Sequence, residues 1–215
     1  MITYENKLDS DFDWALREGS RHFEYGSAVH QTLRRLASKL EELGIPYAVV
    51  GGMALFAHGY RRFTEDVDLL VTRESLIEIQ NKLTGPGFRP LFQGSKNLRD
   101  TDSGVRIKFI ITGEYPGHGK VKPVAFPDPK SASIEIDGIR VLNLERLIEL
   151  KIASGMTGGM GRMRDLSDIV DLIKALCVPH RIKDSLDPFV QEKFEELWQG
   201  AQSAIEPQSV EEVEE

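Results

Sequence analysis

Residues 47–71 read YAVVGGMALFAHGYRRFTEDVDLLV, and their order decides the fold. Tyr47–Val50 is a short apolar strand that stops at the pair Gly51-Gly52. Met53–His58 has the composition of the first turns of a new helix. Phe63–Thr72 contains the next strand, centred on Asp66-Val67-Asp68-Leu69-Leu70-Val71. A strand, two glycines, a helix and a second strand in so short a span form one α/β unit, and the rest of the chain is arranged around it.

Upstream, residues 28–43 carry Val29, Leu33, Leu36, Leu40 and Leu43 at three- and four-residue spacing, which predicts an amphipathic helix. Gly44 stands where a C-terminal cap glycine belongs, and Pro46 prevents continuation. Residues 1–27 are polar with scattered aromatics (Tyr4, Phe12, Trp14, Phe23, Tyr25) and read as an arm or short helices packed on the body.

Downstream, Arg73–Leu83 is helical and ends at Thr84-Gly85-Pro86-Gly87. Phe88–Gln93 and Asn97–Asp102 are expected to be strands of a meander. Val105–Ile111 is a stronger strand, with Val105, Ile107, Phe109 and Ile111 alternating against Arg106 and Lys108. Residues 112–132 are rich in Gly and Pro and read as a long loop of the kind that forms lids or binding segments. Ile134–Asp137 and Ile139–Leu142 form a hairpin around Asp137-Gly138. Asn143 caps a helix to about Ser154, a glycine-rich break follows through Gly161, and helices are expected over about 162–176 and 188–204.

The fold class is therefore α/β (α+β), a mixed β-sheet flanked by helices with a C-terminal helical layer. The organisation reads as an arm over 1–27, a core over 28–142, the helical layer over 143–205 and an acidic tail over 206–215.

The chain has 215 residues, 27 Lys and Arg against 34 Asp and Glu, and a net charge of −7. Five of those acids lie in the last ten residues, so residues 1–205 carry 27 basic against 29 acidic side chains, a near balance of −2. A generally basic nucleic-acid coat is excluded, whereas a local basic cleft is not. The Glu-rich tail reads as solvated and disordered. A lone Cys177 precludes an internal disulfide and fits a reducing, cytoplasmic setting. Met1–Ser10 has no secretory pattern, and the longest apolar run, Tyr47–Ala57, is too short to span a bilayer, so a soluble protein without membrane contact is expected.

Asp66 and Asp68 are the sharpest chemical feature. A strand has a side-chain period of two, so both carboxylates leave one face with Cα atoms roughly 6–7 Å apart. Two like charges on one strand face are unfavourable unless a cation lies nearby. The pair suits Mg²⁺ (or Mn²⁺), which takes a few carboxylates and keeps positions for water and phosphate oxygens. Two solvated acids at a strand edge are the plain alternative. Gly51-Gly52 lets backbone N–H groups approach an anion at a helix start, or simply marks a tight turn. Arg61, Arg62 and Thr64 add a cationic and hydroxyl rim.

Together, Gly51-Gly52-x13-Asp66-x-Asp68 and the inner Arg62-x-Thr64-x-Asp66-x-Asp68 resemble the signature of the DNA polymerase β-like nucleotidyltransferase superfamily. The likeness is nearest to its small bacterial branch, the minimal nucleotidyltransferases and AbiEii-type toxins of abortive-infection and toxin–antitoxin systems. Leu147-Ile148-Glu149-Leu150-Lys151 and Arg164-Asp165-x2-Asp168 resemble that branch's C-terminal helical pattern.

The resemblance implies a nucleotidyltransferase-like core, an NTP held by Gly51, Gly52, Arg62, Thr64 and Lys151, and catalytic metal ions on Asp66 and Asp68. It implies transfer to an acceptor that could be RNA, protein or a small molecule, and an antitoxin protein as a possible partner. Lys151 prolongs the apolar stripe Leu144, Leu147 and Ile148, so its stem can be buried while its ammonium reaches a cleft. Arg162 and Arg164 could add charge there, although Arg164 and Asp168 also form an ordinary i,i+4 pair.

The family's third carboxylate is expected on the strand Val105–Ile110, at the position that Lys108 occupies. An ammonium neither binds Mg²⁺ nor acts as a base. Asp100, Asp102 and Glu114 are the nearest substitutes. Three functions stay open on the sequence: a Mg²⁺-dependent nucleotidyltransferase, a nucleotide- or partner-binding protein impaired by Lys108, and an antibiotic-modifying nucleotidyltransferase. The five histidines lack metal-ligand spacing, and neither a P-loop nor a Gly-x-Ser-x-Gly elbow is present.

Overall fold

A computed structural model describes residues 2–85 and 87–203 of the chain. The acidic tail 206–215 lies outside the described residues. The helices are α1 (Tyr4–Ser10), α2 (Phe12–Phe23), α3 (Ala28–Glu42), α4 (Gly51–Ala57), α5 (Arg73–Leu83), α6 (Pro129–Ala132), α7 (Leu144–Thr157), α8 (Met163–Leu176) and α9 (Pro188–Ser203). The strands are β1 (Tyr47–Val50), β2 (Asp66–Val71), β3 (Phe88–Pro90), β4 (Leu98–Asp100), β5 (Arg106–Ile111), β6 (Ser133–Ile136) and β7 (Ile139–Leu142).

Among the described residues the strands form a single mixed sheet in the order β3-β4-β5-β2-β1-β7-β6. β1 runs antiparallel to β2 and parallel to β7, and β2 runs parallel to β5. The central position of β1 and β2 follows from their composition. All four residues of β1 are buried, as are Leu69, Leu70 and Val71, which fits strands covered on both faces. Only the start of β2 is polar, so Asp66 and Asp68 stand at its N-terminal end.

Helix α3 buries Val29, Leu33, Leu36 and Leu40 on one face, each contributing about 1.5–3 kcal/mol. Ser27 caps its start by accepting from the His30 amide, and Gly44 leaves it at φ +66°. The β6–β7 hairpin turns on Asp137 and Gly138 with φ of +50° and +75°, the paired positive values of a type I′ turn.

The structure alters the expected layout at several points. Helix α7 runs through Gly155 to Thr157, because the missing Cβ lets α8 close in. A methyl there would lie 2.4 Å from Leu166 Cγ. The break instead falls at Gly158–Arg162, where a 3-10 turn covers Met160–Arg162. Residues 129–132 of the expected loop form α6, with Asp128 capping the Lys130 amide. The loop is also pinned, since Lys122 Nζ donates to Thr157 Oγ1 at 2.6 Å. A further 3-10 turn, His180–Ser185, has no clear sequence signal. Among the described residues no helix is long and apolar enough to cross a membrane.

Candidate active site

A cleft of about 780 Å³ opens where the C-terminal end of β1, the start of α4, the start of β2 and the middle of β5 meet α7 and the start of α8. Gly51, Gly52, Arg62, Thr64, Asp66, Asp68 and Lys151 all line it. The seven residues singled out from sequence are thus brought together. Lys108, Arg162 and Arg164 line it as well. Arg61 does not: it donates to Tyr25 Oη at 2.9 Å and lies over that ring.

The two glycines have a steric reason. Gly51 has φ +64°, and a Cβ there would stand 2.2 Å from Asp68 Oδ2. A Cβ on Gly52 would stand 2.8 Å from Thr64 Oγ1. The antiparallel register puts Val50 opposite Asp68, so the strand-to-helix corner rests directly on the carboxylate. The anion that Gly51 accommodates in this structure is therefore Asp68 itself.

Asp66 and Asp68 share one face of β2, and the parallel register sets Arg106 beside Asp66 and Lys108 beside Asp68. Lys108 Nζ ion-pairs with Asp66 Oδ2, and Arg106 Nη2 reaches the same oxygen at 3.4 Å. Thr64 Oγ1 donates to the other oxygen, Oδ1, at 3.4 Å. The Asp68 backbone pairs in the sheet, but its carboxylate makes no hydrogen bond or ion pair among the described residues. Burial, and then the Asp66 charge, push its carboxyl up to about 6, against the pull of Lys108, Lys151 and Arg106. An unpartnered carboxylate at the floor of a cleft, with a second one beside it, is a donor set that fits one divalent cation.

A third acid does not join them. Among the described residues no group of three or more His, Cys, Asp or Glu side chains is placed to hold a metal ion. Of the three substitutes, Asp100 is fully buried in a structural network with Thr32 and Arg35, and Asp102 pairs with Arg35 on the surface. Glu114 does line the cleft, 3.5 Å from Lys96 Nζ.

The opposite wall is a buried ionic chain. Lys151 lies almost wholly inside, with Nζ 2.8 Å from Asp165 Oδ1 and 2.7 Å from Asp168 Oδ2. Ser154 Oγ donates to Asp165 Oδ2 at 2.7 Å. Burial opposes ionisation of Asp165, but Lys151, Ser154 and Arg162 together hold its carboxyl below the usual range. Arg62 Nε lies 3.0 Å from Asp168 Oδ1, off the line of a hydrogen bond, so that contact is ionic. Asp168 thus pairs with Lys151 and Arg62 rather than with Arg164, contrary to the simple helix spacing.

One supporting residue has no sequence signal. His22 is fully buried, with Nε2 3.0 Å from the Arg62 carbonyl and Nδ1 3.2 Å from Ser27 Oγ. A carbonyl only accepts, so Nε2 carries the proton and a neutral Nδ1 accepts from Ser27. Burial keeps His22 neutral by lowering its pKa. Helix α2 thereby fixes the backbone of the segment that carries Arg62 and Thr64.

Comparison with known proteins follows the same lines. The structure of ANT(2'')-Ia with adenylyl-2''-tobramycin is 14% identical, covers 82% of this chain and 98% of its own, and superposes with a TM-score of 0.50. An antigenic nucleotidyltransferase-like protein from Paracoccidioides brasiliensis is 20% identical over 81% of this chain and 85% of its own, with a TM-score of 0.45. JHP933 from Helicobacter pylori is 18% identical over 81% and 89%, with a TM-score of 0.43. At 14% identity the likeness to ANT(2'')-Ia is one of fold. No curated protein matches the chain in sequence. The family described as "Nucleotidyl transferase AbiEii toxin, Type IV TA system" matches residues 33–214. That span takes in β1 to α9 with every residue of the cleft, and the chain belongs to the AbiEii nucleotidyl transferase toxin family.

Proposed function

We propose that the cleft binds a nucleoside triphosphate and that the protein transfers its nucleoside monophosphate to an acceptor, releasing pyrophosphate. The carrying observation is the unpartnered Asp68 carboxylate beside Asp66, in a cleft that Arg62, Lys96, Lys108, Lys151, Arg162 and Arg164 also line. Asp68 and Asp66 would hold Mg²⁺ (or Mn²⁺). When bound, such an ion offsets phosphate charge and steadies the charge that develops on the reacting oxygens.

The chain's own groups orient the reactants. Thr64 fixes Asp66 through its hydrogen bond, and Gly51 leaves room for Asp68. Lys151 is shared between Asp165 and Asp168, so it steadies Arg62 through Asp168 while itself facing the cleft. Arg62, Lys108, Arg162 and Arg164 are the cations offered to the phosphates. Positioning and charge neutralisation are the protein's share of such a reaction.

The test is label transfer from α-labelled NTPs to a panel of RNA, protein and small-molecule acceptors. Asp66→Ala and Asp68→Ala should each abolish it, and transfer that survives both substitutions would remove the proposal. In line with its family, we further propose that the chain is the toxin of a toxin–antitoxin pair. Induced expression should then arrest growth, and Asp68→Ala should relieve the arrest.

A second reading is favoured by the Lys108–Asp66 ion pair: the protein binds a nucleotide without transferring it. Calorimetric binding of NTP with no turnover on any acceptor would establish that reading. The tobramycin adduct belongs to ANT(2'')-Ia, and an aminoglycoside in the acceptor panel tests whether that substrate class extends to this chain.

A further inference from the structure

The charges on the open face of β2 and β5 do not match a site for two divalent cations. Asp66 and Asp68 contribute two negative charges, and Arg106 and Lys108 stand directly beside them in register. Arg106 is partly satisfied from outside the site. Glu5 of α1 lies 3.6 Å from its Nε and also holds Arg99 at 2.7 Å. Lys108 has no such second partner among the described residues: its ion pair is with Asp66 Oδ2. The ammonium therefore occupies the side of Asp66 that a second cation would need.

The other oxygen, Asp66 Oδ1, is left to Thr64, and the Asp68 carboxylate is left without a hydrogen bond or ion pair among the described residues. Lys108 and Arg106 both reach Asp66, so Asp68 is the one carboxylate of the pair without a side-chain ion pair. A single divalent cation bound to NTP matches this. A pair of cations would stand beside an ammonium with no third carboxylate to hold them. Lys108 is also a little more than one third exposed, so its long stem can turn its ammonium from Asp66 toward the cleft.

We propose that the site takes one divalent cation, on Asp68 and Oδ1 of Asp66, and that Lys108 replaces the second. Its ammonium supplies the fixed positive charge at the phosphates that another ion would otherwise bring. This rests on the nucleotidyltransferase reading and narrows it, since it makes Lys108 a phosphate-binding group rather than a lesion.

The experiment counts Mn²⁺ on the full chain by electron paramagnetic resonance and calorimetry, with and without α,β-methylene-ATP. Wild type should bind one Mn²⁺ with an uncoupled spectrum. Lys108→Asp should bind two, with a spin-coupled signal. Lys108→Met removes the ammonium without adding a ligand, so it should keep one site and bind Mn²⁺ about tenfold more tightly. It also guards against Lys108→Asp failing to fold.

Two ions on wild type, or Lys108→Met no tighter than wild type, would overturn the proposal. Two ions on a wild type that still transfers label would overturn the metal count alone and leave the function standing. No Mn²⁺ on wild type would overturn it together with the assigned metal ligands.

Discussion

Gly51→Ala separates the structural part of the glycine pair from its chemical part. At φ +64° an alanine costs about 1–2 kcal/mol in backbone strain alone. In a chain of 215 residues that lowers Tm by roughly 2–8 °C. The added Cβ would also stand 2.2 Å from Asp68 Oδ2, where ordinary contact begins at 3.4 Å, so the carboxylate must withdraw by 3.4 − 2.2 = 1.2 Å. The backbone cannot give way easily, because Asp68 is paired with Val50 on one side and Lys108 on the other. Displacement by about 1 Å from a productive position costs on the order of 10²-fold in rate.

Gly44→Ala is the matched control. Gly44 has φ +66°, and an added Cβ there meets nothing within 4 Å. Thermal denaturation should therefore show similar losses for the two variants. Mn²⁺ calorimetry and label transfer should show a large loss for Gly51→Ala and none for Gly44→Ala. Wild-type Mn²⁺ affinity in Gly51→Ala, or an equal loss of it in Gly44→Ala, would refute the steric reasoning.

Three further outcomes follow from the structure. Lys151→Met leaves Asp165 and Asp168 buried without their shared cation, and urea denaturation should show a loss of about 3–5 kcal/mol; a loss below about 1 kcal/mol would contradict the buried network. His30 is buried beside His22 and Arg34, and burial first, then those charges, lower its pKa from 6.5 to about 4. The unfolded chain therefore takes up the proton first. Stability is complete above pH 6.5 and falls as the pH drops toward 4, by on the order of 3 kcal/mol, and His30→Phe should flatten that part of the profile. Glu5→Gln releases Arg106 toward Asp66, so Mn²⁺ should bind about threefold to tenfold more weakly, although Glu5 lies on the N-terminal arm.

What was legible in the sequence is what local periodicity and spacing encode. The strand, glycine pair, helix and strand of residues 47–71 stand as read, because apolar runs and glycines carry that information within a few residues. The common face of Asp66 and Asp68 follows from the strand period. The resemblance places the family's third carboxylate at the position of Lys108, and the observed register sets Lys108 beside Asp68. The mixed sheet with flanking helices is also as expected.

What was not legible depends on packing between distant segments. His22 meets the Arg62 carbonyl across 40 residues, and no spacing rule marks it. Helix spacing offers Arg164 as a partner of Asp168. The packing of α7 on α8 gives it to Lys151 instead, 17 residues away. The glycine-rich stretch from Gly155 to Gly161 predicts a break, yet at Gly155 the missing side chain admits Leu166 within the helix. Sequence marks a glycine but not whether its missing side chain serves a turn or a close contact.

The central claim is best tested by following both ends of the triphosphate. Wild-type protein is incubated with Mg²⁺ and an acceptor extract, once with α-labelled and once with γ-labelled NTPs. Covalent retention of label is then measured beside Asp68→Ala. The account predicts that α label is retained, that γ label leaves as pyrophosphate, and that the variant retains neither. Retention of γ label, or α label retained equally by Asp68→Ala, would contradict it.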